Sequence, residues 1–159
     1  MKAGRRSDPP CRVGNVVSHM IKGDHLQMIS ESFRATWSPR LLSVLRIMVG
    51  LLFLEHGLAK YFGFPAPSPP AFHVMGILGL AGAIEIASGV LVAIGLFTRI
   101  AAFIASGEMA FAYFIAHFPR NFFPLVNQGD AAVLYCFIFL FIALEGAGPW
   151  SIDALRSRR

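Results

Sequence analysis

Residues 41–60 read LLSVLRIMVGLLFLEHGLAK. As an α-helix this stretch rises about 30 Å, the thickness of a bilayer's hydrocarbon core. Ser38-Pro39 stands just before it, a hydroxyl cap followed by a proline whose missing N–H costs nothing in a first helical turn. The spacing therefore predicts a transmembrane helix that starts at residue 41.

The same pattern repeats toward the C-terminus. GFPAPSPP at 63–70 cannot be helical and reads as an outside loop. A second span is predicted over 72–97, a tight polar turn at Thr98-Arg99, and a third span over 100–118. PRNFFPLVNQG at 119–129 reads as a loop with two prolines, and a fourth span covers 130–144. Gly146, Gly148 and Pro149 end that span, and Trp150 falls where an interfacial aromatic belongs. The predicted fold is all-α: an integral membrane four-helix bundle over 41–149, with a polar, basic and disordered cytoplasmic tail at 1–40 and a short basic cytoplasmic tail at 150–159. Met20 and Met28 offer alternative starts within the first tail.

Composition agrees. The chain of 159 residues is 55% hydrophobic and 14% charged, against about 25% charged in soluble domains. So short a chain cannot hide that much apolar surface in one core, so the excess must face lipid. The net charge of +5 does not indicate a nucleic-acid partner, because of where it sits. Lys2, Arg5, Arg6, Arg12, Lys22, Arg34 and Arg40 precede the first span, and Arg156, Arg158 and Arg159 close the chain. With Arg99 in the second connection and only Lys60 and Arg120 near the others, the positive-inside rule puts both termini in the cytoplasm. The expected location is the bacterial inner membrane. Cys11 and Cys136 lie too far apart on this topology to pair. No C-x-x-C or signal-peptide apolar core is present.

Charges inside spans are costly and are functional candidates by default. Arg46, Glu85 and Glu108 fall at depths that let them meet in the inner half of the membrane, Arg46 about 8 Å and Glu108 about 12 Å from the cytoplasmic ends of their helices. The economical arrangement sets Arg46 between the two carboxylates or leaves one carboxyl neutral. Glu55, His56, Lys60, His117 and Asp130 sit at outer helix ends and make a candidate polar vestibule. Competing readings are plain ones: Arg46 and Lys60 as snorkelling cations, the three inner residues as structural glue, and Cys136 as a small hydrophobe. Gly50 and Gly57 on span one, and Gly82 and Gly89 on span two, form small-residue stripes that let helices close together. There is no cluster of metal ligands and no nucleotide loop.

RIMVGLLFLEHGLAK (46–60), GAIEIASGVLVAIGLFTR (82–99), GEMAFAYFIAHF (107–118) and NQGDAAVLYCFIFLFIALEGAGPWSID (127–153) resemble, in order and spacing, the DoxX family of small bacterial membrane proteins. Where the family usually has Gly-Gly-Glu before span four, this chain has Gln128-Gly129-Asp130, which keeps the acid on a shorter arm. The resemblance implies a four-helix membrane bundle and, loosely, service as a subunit of a quinone-linked or thiol-linked redox assembly. On that footing the expected function is a membrane subunit of a quinone-linked oxidoreductase system, with a redox partner protein and quinone as cofactor. The alternatives are a small-solute or proton carrier and a scaffold that recruits a soluble partner through the basic tail. Four short helices enclose little volume, which favours a homodimer.

Overall fold

The computed structural model describes residues 13–65 and 76–158, with side chains from Ser30 onward. Among these residues there is helix and no strand. The elements are α1 (Val13–Phe62), α2 (Ile77–Ile94), α3 (Thr98–Ala112, continued by a π-helical turn at Tyr113–His117), α4 (Pro124–Asn127), α5 (Asp130–Glu145) and α6 (Ile152–Ser157). The chain divides into two compact units at Ser38–Pro39. In the first, α1 is already helical and Thr36 returns its hydroxyl to Ser32 O at 2.9 Å. The packing described below belongs to the second.

Among the described residues three helical stretches are long and apolar enough to cross a bilayer: Ser30–Phe62, Ile77–Ile94 and Thr98–His117. The expected helix start at residue 41 is corrected, because α1 begins at Val13 and runs through Pro39. A proline inside a helix forfeits one backbone hydrogen bond, and here the flanking turns carry it; Ser43 Oγ donates to Pro39 O at 3.1 Å. Residues 1–12 of the expected tail lie outside the described residues, as do residues 66–70 of the first loop and 72–75 of the expected second span. The segment expected as a fourth span is helical as α5, but its 16 residues rise only about 24 Å, and it is not among those three stretches.

The turn between α2 and α3 falls earlier than expected. Gly95 takes φ 73° and closes α2, with Leu96 N donating to Leu91 O at 2.9 Å and Gly95 N to Val92 O at 3.1 Å. This paired pattern needs a left-handed residue at that position, which glycine supplies without strain. Phe97 follows at φ 49°, and Thr98, expected in the turn, opens α3. The loop 119–129 contains the short α4.

Size is distributed in reverse of a soluble protein. The interior holds Ala101, Ala102, Ala105, Ser106 and Ala132 beside Phe53, Phe139 and Ile142, while Leu80, Phe103, Phe111, Leu134, Phe137 and Leu144 are at least half-exposed. A chain that turns its bulky side chains outward is solvated by lipid; small residues inside let backbones approach. A Cβ on Gly50 would lie 2.6 Å from Ala93 N, and one on Gly89 would lie 2.7 Å from Leu54 N. The small-residue stripes of α1 and α2 are therefore the seam between those helices. Ser106 Oγ donates to Cys136 O at 2.8 Å across the α3–α5 seam. Cys136 is a free, half-buried thiol.

Candidate functional site

The buried charges expected to meet in one group lie at two opposite ends of the packed unit. Arg46 is at one end with the α2–α3 turn and the C-terminal end of α5. It is fully buried, and its guanidinium donates to Ala147 O at 2.8 Å, Ala93 O at 2.7 Å, Trp150 O at 2.6 Å and also to Val92 O. It has no contact with Glu85 or Glu108. Val92 and Ala93 end α2, where the helix dipole presents its negative pole, so the cation is balanced by carbonyl oxygens. Val92 lies about 10 Å of helical rise beyond Glu85.

Two more charges complete this clasp. Arg99, near the start of α3, donates to Ala143 O, Leu144 O and Glu145 O at 3.2, 2.7 and 3.4 Å, capping α5. Asp153, in α6, accepts from Phe97 N at 3.0 Å and Thr98 N at 2.9 Å, capping α3, while its own N–H donates to Gly95 O at 2.9 Å. Burial works against the Asp153 charge, but hydrogen bonds from Thr98 and Phe97 and the charge of Arg156 outweigh it and hold the carboxyl below the ordinary aspartate range. Gly148 fits here because a Cβ would run into Ser43 Oγ.

The other end holds a cavity of about 430 Å³ between α1, α2, α3 and α5. Lys60 Nζ lies 2.5 Å from Glu85 Oε1 on its wall; Lys60 turns inward to pair rather than snorkelling outward. Glu85 is 2% exposed. Glu108, His56 and His117 also line the cavity. Glu85 Oε2 and Glu108 Oε2 are buried without a hydrogen-bond partner among the described residues. Most of the remaining wall is apolar, from Ile84, Met109, Ala112 and Ala132 among others.

Two expected groupings are thus redrawn. Glu85 and Glu108 belong with Lys60, His56 and His117, and Arg46 does not. Glu55 and Asp130 are exposed and do not line the cavity. Glu55 precedes His56 by one residue, a turn of about 100° around the helix, so the two cannot share a face. Among the described residues no three metal-ligating side chains gather.

Sequence reading missed Tyr135. It lines the cavity, stacks on Phe139 with ring centroids 5.8 Å apart, and meets the His56 ring edge-on at 5.8 Å. The available signal was the recurrence of Gln128, Ala131 or Ala132, and Tyr135 at helical spacing. The π-helical turn Tyr113–His117 was not readable either. It brings His117 Nδ1 to donate to Asn127 O at 3.0 Å. Asn127 in turn is fixed by Asn121 O and Gly129 N, both at 2.7 Å.

The DoxX family model matches residues 41–118. An uncharacterized protein of Haemophilus influenzae is 43% identical over 122 residues, which cover 74% of this chain and 91% of the relative. An uncharacterized membrane protein of Mycobacterium tuberculosis is 28% identical over 155 residues, covering 82% of this chain and 94% of that one. No solved structure matches the chain.

Proposed function

The chain belongs to the DoxX family, and from that premise we propose that it is a membrane subunit of a quinone-linked oxidoreductase system in the bacterial inner membrane. The topology that goes with this reading has four crossings and both ends in the cytoplasm. Its support is the crowding of Lys and Arg before span one, at Arg99 and at the C-terminus.

The observation that carries the reading is the mostly apolar cavity with its ion pair and second carboxyl. Its volume is in the range of small-molecule sites, which are apolar with a few placed polar groups. A quinone ring needs apolar walls and donors for its carbonyl oxygens. Lys60 carries three N–H donors, of which one goes to Glu85, and Tyr135 and His56 line the same space. These residues fit the group. A bound quinone supplies a two-electron, two-proton acceptor dissolved in the bilayer, and the electrons come from a partner protein. The chain's own side chains do the rest. Glu85 orients Lys60, Lys60 and Tyr135 orient the ring, and Glu108 and His56 hold and pass protons.

Purification in mild detergent, followed by mass spectrometry of the extracted small molecules, tests this. Quinone is expected with the wild type and absent from Lys60→Met. Recovery of lipid alone from the wild type overturns the reading. The several titratable groups on one cavity also support a second reading, a proton or small-solute carrier. That reading requires flux in liposomes containing this chain alone, abolished by Glu108→Gln.

A further inference from the structure

The cavity is not closed on all sides. Its lining includes Ile77 and Leu80 on α2 and Phe111 and Ile115 on α3, and these four side chains are 55%, 63%, 54% and 50% exposed. Positions 77, 80 and 84 recur at helical spacing, as do 111 and 115, so each helix presents a line of apolar side chains along one edge of the cavity. The Gly95–Phe97 turn joins α2 and α3 at the far end, leaving their other ends without a covalent tie of that kind. Phe103 and Phe114 on α3 are exposed as well. The charged residues of the lining, Lys60, Glu85 and Glu108, are more deeply buried than the four lip residues Ile77, Leu80, Phe111 and Ile115.

From this arrangement we infer that the opening between α2 and α3 is a lateral port into the bilayer, with Ile77, Leu80, Phe111 and Ile115 as its lips. The port admits the apolar tail of a membrane-dissolved amphiphile, whose polar head then meets Lys60 and the two carboxyls. The chemistry is divided as such a molecule is. Lips of branched and aromatic side chains have nothing to offer a polar solute, and a buried ion pair has nothing to offer a tail. The ligand class of the preceding subsection is a tailed ring of this kind, and in naming a ligand the inference rests on that reading. The port itself is read from the lips alone.

The test begins without a ligand. In a variant with Cys11→Ser and Cys136→Ser, Ala112→Cys on the cavity wall is spin-labelled and the protein placed in lipid nanodiscs. Collision with oxygen, which dissolves in lipid, is compared with collision with a water-soluble nickel chelate. The port requires oxygen access well above chelate access, and a several-fold fall in oxygen access when Leu80→Trp and Ile115→Trp are added. Chelate access exceeding oxygen access would make the cavity a water-facing one and overturn the port. Access for neither would make it closed, with the same consequence. A second measurement separates the two readings. A decyl-substituted benzoquinone should bind the double tryptophan variant at least tenfold more weakly than the unblocked protein, while the same ring without a tail binds both within about threefold. Equal losses for both rings, or none, overturn the port. Failure of either ring to bind an unblocked protein that passes the oxygen test removes the quinone reading and keeps the port.

Discussion

At one end of the packed unit, Arg46 gives its guanidinium to four backbone carbonyls and Asp153 takes two backbone N–H groups. At the other, Lys60 and Glu85 pair with each other, and two carboxyl oxygens have no partner among the described residues. Both ends bury charge in the same small protein, yet only the first spends it on the ends of helices. Helix termini carry orphan backbone groups that must be satisfied somewhere, and in a membrane water cannot do it. A charge fully committed to them is architecture. A charge beside a cavity, paired only with another side chain, keeps capacity for something else.

That contrast can be broken most severely at Arg46. Arg46→Ala leaves buried carbonyls unpaired at about 1–3 kcal/mol each, so loss of folded protein is expected, read as aggregation on size exclusion in detergent. Arg46→Lys should rescue it only in part, because a point charge cannot replace the planar fork. The same treatment of Glu108 with glutamine should leave a folded protein, and equal damage from both would erase the distinction.

Next in size is Gly89→Val, which tests whether the seam holds both ends together. With Leu54 N at 2.7 Å from the added Cβ, α1 and α2 must separate, at about 1–3 kcal/mol. Thermal unfolding should register it, together with loss of the Lys60–Glu85 pairing that depends on the two helices staying close.

Asp153→Asn is milder, about 1 kcal/mol, because an amide keeps one acceptor oxygen and turns its NH2 toward the other backbone N–H. Its pH signature is sharper. The folded carboxyl titrates below its ordinary value, so its contribution is present above about pH 4 and is lost as pH falls through the folded value. Wild type and Asp153→Asn should therefore differ in melting temperature at pH 7 and converge as the pH falls below the folded carboxyl's own value.

Smallest in stability is Glu108→Gln, expected within about 1 kcal/mol of wild type. It should nevertheless abolish the proton transfer, or the flux, that the cavity supports. A variant that melts like wild type and keeps both would remove Glu108 from the site.

The length and hydropathy of residues 41–60, 72–97 and 100–118 determined by themselves that this is a helical membrane protein, because the bilayer imposes both a length and an apolar composition on any helix that crosses it. The glycine stripes determined a seam, since only residues without a side chain let backbones come so close. Individual charges were legible as exceptional for the same reason: lipid makes each one costly. Their grouping was not. Depth along an assumed span placed Arg46 with Glu85 and Glu108, but depth is a single coordinate, and neither the direction a side chain takes nor the carbonyls a helix end offers can be read from it. Only the tertiary structure sent Arg46 to Val92 and Trp150, Lys60 to Glu85, and Asp153 to an N-terminus 55 residues away in sequence. A buried charge settles against the partner that satisfies it, and which partners are near is decided when the helices pack.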